Sequence, residues 1–544
     1  MGQVVVEWGQ LADGEGTDMP MRPWIRGQRW LMPPSLDELV PPSHPVRFLA
    51  EFVDQLVPSA LGLSLETAER GGVAYDPRMM LAAWIYGFMM RVRASRRLEV
   101  AAQENLPLIW LLGGQHPSTL GQHPSTLGQH PSTLGQHPST LGQHPDHSTL
   151  ARFLAAHHQV LHRLFKQTVR TAVDVGLVAF AFQAVDGTRV SAVSRDKMLD
   201  REALEALDQR VDEAIARLER SVADEEQGAP ADPAAQEMPA ALRNPEELKA
   251  RVRVALAKVD ERQESRASHH TGATDPQTGQ PRGPQAHLAD PGAVVMKGRH
   301  GYVAGYNAQA AVDAQARVIV AADVIAQATD HNALVPMLEQ MRENTGRLAA
   351  VTALDGGYHS AANLEAVAAA PTDLYLADPN LKRQSSQGER AAFHKDAFAH
   401  DSATDTYRCP MGQTPSFEYV HGGQAAAGNG ERVYRCHACG ACPQRDPCTT
   451  DRHGRRIRVR PENERLRAHR AKMRTPEARE RMRQRGATVE PVFGIMREHM
   501  GLTRFLRRGL ATVRAEWHLL CAAFNLRVIW KARSGAPQQV AAAT

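Results

Sequence analysis

No stretch of about eighteen consecutive apolar residues occurs in the chain, which excludes a membrane-spanning helix. The opening residues, MGQVVVEWGQLADGEG, lack a basic stretch followed by an apolar one. No secretory signal is therefore expected, and the cytoplasm is the expected compartment. Net charge is slight: 64 Lys and Arg against 60 Asp and Glu leave +4. Its distribution is uneven, however. Asp451–Arg508 is crowded with arginine, and that local density suits a polyanion better than the overall balance does. Cysteine is scarce outside one cluster, with five of six residues between Cys409 and Cys448. Clustered thiols in a reducing compartment argue for a metal rather than for disulfides.

A chain of 544 residues is expected to hold roughly two to four domains. Residues 1–24 read as a disordered lead. Residues 25–175 are helical in pattern, and Pro77–Arg91 is apolar nearly all round, as a buried helix would be. Within this part QHPSTLG occurs four times from Gln115 to Gly142. Each unit carries Pro and Gly and one large apolar residue, so neither a helix nor a solenoid core can be built from it, and a surface loop is expected.

From Gly176 the periodicity changes. LVAFAFQAVDGTRVSA reads as an apolar strand with Asp186 near its end, a Gly turn and a second, alternating strand. Leu204, Leu207, Val211, Ile215, Leu218 and Val222 form a helical stripe. Leu248, Val252, Ala255 and Val259 resume it past a Gly/Pro/Ala linker, so residues 199–265 are expected to form two antiparallel helices. Two strands meet at a turn near Asp313. A further apolar strand, Leu348–Leu354, ends in Asp355-Gly356-Gly357-Tyr358. Residues 379–452 hold the cysteines, 453–485 an arginine-rich helical segment, and 533–544 a disordered tail. The remaining pieces, 176–378 and 486–532, read as one α/β core.

Asp186 and Asp355 each end an apolar strand in this reading, and ligand sites of α/β sheets lie at such ends. Two carboxylates placed together there stay ionised cheaply only with a cation between them. Val489, Phe493, Met496 and Met500 mark a helix beginning near Thr488, with Pro491 in its first turn. That helix would bring Glu490 as a third acid, completing an oxygen-ligand site for two Mg²⁺ or Mn²⁺ ions of the kind that acts on phosphodiesters. Arg497, two turns on, would hold a DNA phosphate. In the cysteine cluster, Cys436-x-x-Cys439-x-x-Cys442 is followed by Cys448 and preceded by Cys409. Such spacing favours Zn²⁺. Five thiols for four positions leave the ligand set open; Cys409, Cys436, Cys442 and Cys448 are the set favoured.

Several of these pieces occur together in one known family. AVDGTRVSA, MKGRHGYVAGYNAQAAVD, TALDGGYHS, YRCPMG with CHACGACPQRDPC, and VEPVFGIMREHMGLTRFLRRGL resemble bacterial insertion-sequence transposases with a DDE-type, RNase H-like catalytic core. The helical stretch from Tyr75 to Gly114 is similar to the domain that precedes that core. The resemblance covers roughly residues 30–530. It implies an α/β fold with a mixed-sheet RNase H-like core, an N-terminal helical DNA-binding domain, a helical-hairpin insertion and a cysteine-rich β insertion. It makes Asp186, Asp355 and Glu490 the catalytic acids, with Arg497 where many relatives carry Lys. An arginine usually precedes the glutamate in the family; Arg483 and Arg485 are both candidates, and Arg483 is favoured. DGGY departs mildly from the family's D-A-G-Y, and the seven-residue repeat lies outside its pattern. The implied partners are the element's inverted-repeat ends and target DNA, bound by a homodimer associated with the nucleoid. The alternative is a catalytically decayed or repurposed sequence-specific DNA-binding protein.

Overall fold

The fold was described from a computed structural model covering residues 35–63, 75–113, 145–193, 198–226, 245–267, 283–298, 301–379, 392–421, 430–459 and 464–535, apart from isolated positions. The expected lead, the QHPSTLG repeat and nearly all of the expected tail lie outside the described residues.

A six-stranded mixed sheet carries the centre of the molecule. Its strands are β1 (Phe182–Ser191), β2 (Val294–Gly298), β3 (Gly301–Asp313), β4 (Ile319–Ile325), β5 (Val351–Leu354) and β6 (Asp373–Leu376). β1 lies antiparallel to β3 on one side and parallel to β5 on the other, and β5 is parallel to β6. The far side of β3 takes β2 along its first half and β4 along its second. The expected turn at Gly187 is corrected: β1 continues through it. Every residue from Gln183 to Ser191 has a register partner on the long β3, so a non-local ladder overrides the local Asp-Gly signal.

The helix Leu510–Arg533 is buried almost all round and lies between this sheet and the N-terminal helices Pro77–Met89 and His158–Asp174. Trp517, Leu519, Leu520, Leu526 and Ile529 join one continuous core with Trp84, Phe88, Leu164 and Phe165. Each such side chain contributes about 1.5–3 kcal/mol by leaving water. The polar residues of this helix are spent on the backbone of β4. Asn525 bonds both the N–H and the carbonyl of Ile319, at 2.9 Å each. His518 donates from Nε2 to the Ala322 carbonyl at 2.9 Å. Burial lowers the His518 pKa to about 3, which keeps the ring neutral for that bond. On the same strand Gln340 accepts from Ala322 N–H and Asn344 donates to the Val320 carbonyl. At the other flank Lys472 and His469 donate to the carbonyls of Leu374 and Leu376 on β6.

Two smaller bodies stand beside the sheet. Helices Arg201–Glu226 and Pro245–Ala267 pack antiparallel, as the pairs Arg201–Asp260 and Lys249–Asp212 require, around Leu204, Val252, Ala255 and Val259. Strands Ser416–His421, Glu431–Arg435 and Arg456–Val459 form an antiparallel sheet in the cysteine-rich part.

The helix expected to begin near Thr488 instead spans Pro476–Glu498. Thr475 caps it by accepting from Ala478 N–H, and Pro476 takes the first-turn position that had been assigned to Pro491. Pro491 lies in the interior, where the freed carbonyl belongs to exposed Ala487 and can meet water. The boundary expected between residues 485 and 486 therefore falls inside one helix.

One buried ion pair joins three parts of the chain. Arg93 donates to the carbonyls of Gly501 and Arg504 at 2.6 and 2.9 Å and to Glu516 at 2.6 Å. Glu516 also accepts the N–H groups of Leu506 and Arg507. Removing one partner of a buried pair strands the other charge, so Glu516→Ala is expected to cost about 3–5 kcal/mol in urea unfolding. A loss below about 1 kcal/mol would show that the pair is dispensable.

Candidate active site

Register decides which side chains meet. Val185 on β1 aligns with Leu354 on parallel β5. Asp186 and Asp355 are the next residues on the two strands, which lie about 4.8 Å apart. Gly187 N–H donates to Asp186 Oδ1, and Gly357 N–H donates to Asp355 Oδ1, each at 2.8 Å. Both glycines thus orient the carboxylate one or two positions before them.

The helix Pro476–Glu498 packs across β1, β3 and β5 and brings a cation to this pair. Arg485 Nη1 lies 2.8 Å from Asp186 Oδ2, with both side chains largely buried. Burial raises the Asp186 pKa to about 6; Arg485 opposes the rise and Asp355 adds to it. Asp355 is likewise raised, chiefly by burial, with Gly357 N–H opposing and Asp330 contributing. Two desolvated carboxylates side by side, only partly relieved by Arg485 and, for Asp355, by Arg189 as well, form a site that favours added positive charge.

The other expected residues are distributed as follows. Arg485, not the favoured Arg483, reaches the acids; Arg483 is exposed and pairs with Glu480 at 2.5 Å, because the helix phase turns it outward. Arg497 bonds the Thr188 hydroxyl on β1, two residues beyond Asp186. Glu490 is exposed, and its Oε1 stands 3.2 Å from where a side chain on Gly486 would begin. The structure therefore joins Asp186 with Asp355 and leaves Glu490 outside the pair. It shares a helix face with Arg497, seven residues on. Among the described residues, no three His, Cys, Asp or Glu side chains are gathered closely enough to hold a metal ion.

Asp330 was missed by sequence reasoning. It lies in the loop after β4, is 8% exposed, and accepts bonds from Asn307 and Gln309 of β3, each at 2.7 Å. Tyr358, after Asp355, donates to Gln309. ATDHN in the sequence offers no strand end or turn signature to flag it.

Cys409, Cys436, Cys439, Cys442 and Cys448 line one cavity of about 20 Å³, room for a single water-sized occupant. Backbone N–H groups of Gln413 and Arg455 point at the sulfurs of Cys409 and Cys439, at 3.2 and 3.3 Å. Burial raises the Cys436 pKa to about 11, with neighbouring Cys439 adding to the shift. Cys521 is separate and wholly buried in the core.

The raised Asp186 pKa fixes a sign. An acid harder to ionise in the folded state stabilises the fold most below its ordinary pKa of 3.8, and that contribution is lost as pH rises toward about 6. The loss is roughly 2–3 kcal/mol. With chelator present, melting temperature measured from pH 4 to 7 is expected to fall more steeply in the wild type than in Asp186→Asn. Equal slopes would show that Asp186 is not desolvated as described.

Two segments match known family models. Residues 408–530 match the transposase DDE domain, a span that includes the cysteines, Arg485, Glu490 and Arg497. Residues 34–129 match a transposase domain of the N-terminal helical region. No curated protein and no solved structure matched the chain. Among the described residues no helix is long and apolar enough to cross a membrane. Enzymes of the matched class act on DNA and generally use divalent metal ions. Together the two matches indicate an insertion-sequence transposase of the DDE type.

Proposed function

We propose that this chain binds the inverted-repeat ends of its element and catalyses DNA cleavage and strand transfer at Asp186, Asp355 and Glu490. The observation that carries the reading is the Val185–Leu354 register, which sets Asp186 and Asp355 at the same level of adjacent parallel strands. The strand order of the sheet, with its antiparallel half beyond β1 and its parallel half from β1 to β6, supports an RNase H-like core.

The donor set fits Mg²⁺ or Mn²⁺: hard carboxylate oxygens, crowded and short of positive charge. Asp186 and Asp355 would hold the ions, with Glu490 joining from the helix face that, two turns on, sets Arg497 against Thr188. Bound there, two such ions supply Lewis-acid stabilisation of a phosphodiester under attack. Arg485 already neutralises Asp186 in part and is placed to balance charge as DNA phosphate enters. Arg497 and Arg483, both exposed, would bind the phosphate backbone. Water breaks a P–O3′ bond at the element end and leaves a 3′-OH. That hydroxyl then attacks a target phosphodiester, exchanging one P–O bond for another without a covalent protein intermediate. The N-terminal helices and the arginine-rich stretch would hold the ends, with two copies of the chain on DNA in the cytoplasm at the nucleoid. The softness of the five thiols suits Zn²⁺, with Cys409, Cys436, Cys442 and Cys448 as the proposed ligands and Cys439 as the fifth thiol at hand; binding would have to draw together sulfurs that the structure does not gather at ligand distance.

The exposed position of Glu490 is what a repurposed DNA-binding protein would also show, so the decisive test is chemical. With Mg²⁺ and a duplex carrying the terminal inverted repeat, the wild type is expected to nick and join strands. Asp186→Asn, Asp355→Asn and Glu490→Gln should each lose at least about 10²-fold. Binding without nicking, or Glu490→Gln matching the wild type, would overturn the proposal. For zinc, metal analysis of the purified chain is expected to find one equivalent; none, with all five thiols freely reactive, removes it.

A further inference from the structure

We propose that Asp330 is a further acid beside this site, in addition to Glu490: a positioning residue that seats the Asp186-Gly187 and Gly356-Gly357 backbone and, through its charge, tightens divalent-cation binding at Asp186 and Asp355. The inference rests on the reading of those two acids given above and extends it to a residue outside both family matches.

Geometry carries it. Gln309 and Asn307 sit two apart on β3 and so share one face of the sheet. They are register partners of Gly187 and Arg189 on β1. Both donate to the same oxygen of Asp330, which fixes the carboxylate under Gly187. A side chain at position 187 would begin 2.8 Å from that oxygen. A side chain at position 357 would overlap its other oxygen and begin 3.0 Å from Asp355 Oδ1. Asp330 therefore fills the space beside Gly357 and shares the space beside Gly187 with Gln309 Nε2 and Asn307 Oδ1, which a side chain there would meet at 2.5 and 2.7 Å; those are the glycines whose N–H groups orient Asp186 and Asp355. Asn363 ties the same two loops together by donating to the carbonyls of His331 and Tyr358, each at 2.7 Å.

Charge adds to shape. Asp330 is buried, its two donors are neutral amides, and among the described residues no Lys, Arg or His lies at salt-bridge distance from it. A buried anion with no cation of its own raises the negative potential at its neighbours, and that potential is relieved when a cation binds between them. Asp330 would thus act on an ion held by Asp186 and Asp355 through its charge, without being a ligand itself.

Asp330→Asn keeps the shape and can still accept from Asn307 and Gln309, but it loses the charge. By calorimetric titration of the full chain with Mn²⁺, affinity is expected to fall about 10-fold or more, while the melting temperature in chelator stays within a few degrees of the wild type. Mn²⁺ affinity within twofold of the wild type overturns the charge role, whatever the effect on cleavage. Asp355→Asn is the control. If the wild type binds no Mn²⁺, or binds it as well as Asp355→Asn does, the reading of the two acids fails and this inference fails with it. If Asp355→Asn loses binding and Asp330→Asn does not, only this inference fails. Seating is tested separately by Gly357→Ala, expected to lower the melting temperature less in an Asp330→Ala background than in the wild type. Additive losses overturn that half.

Discussion

The carboxylate of Glu516 is almost wholly removed from water, at 1% exposure, and it is answered by three donors from two parts of the chain. Arg93 reaches it from the N-terminal helices, and the N–H groups of Leu506 and Arg507 reach it from the loop that follows the helix Pro476–Glu498. Taking such a charge out of water costs several kcal/mol unless its hydrogen-bonding capacity is filled. That requirement holds the loop in one conformation. The same loop sends Phe505 N–H to the Ser191 carbonyl at the end of β1. The loop held by Glu516 thereby ties the end of the helix carrying Arg485, Glu490 and Arg497 to the strand carrying Asp186.

The same logic recurs in polar form throughout the core. Trp517 donates to the Gln309 carbonyl, so the helix that buries most apolar surface also pins the strand that positions Asp330. Hydrophobic burial supplies the bulk of the stabilisation and has little directional preference. The hydrogen bonds of Asn525, His518, Trp517 and Glu516 choose one register of helix on sheet from the many that burial alone would allow. Packing and site geometry meet at Trp517, whose bond to Gln309 joins the packed helix to a strand residue that holds Asp330.

How much of this was legible in the chain follows from which features are local. Asp186 and Asp355 could be found because an apolar run followed by Asp-Gly is a short-range signal, and their meeting needed only the assumption of adjacent parallel strands. The buried character of Pro77–Met89 was equally plain from its composition. Helix phase was not. Pro491 invited a helix start near Thr488, but Pro476 after Thr475 makes the same first-turn argument, and the longer helix turns Arg485 inward and Arg483 outward. The continuation of β1 through Gly187 depends on pairing with residues more than a hundred positions away, which no local pattern reports. Asp330 was invisible for a related reason: its significance comes from two amides on another strand and from the absence of side chains on two glycines.

The flanks of the main sheet bear on how copies of this chain can come together. Along β4, Asn525, His518, Gln340 and Asn344 already occupy backbone groups that an incoming strand would use, and Lys472 and His469 do so along β6. A second molecule approaching either border would have to evict these side chains before gaining a single ladder bond. Assembly by extending the sheet is thereby disfavoured along β4 and β6. An approach along helical and loop surfaces would leave undisturbed the strands that hold the acids.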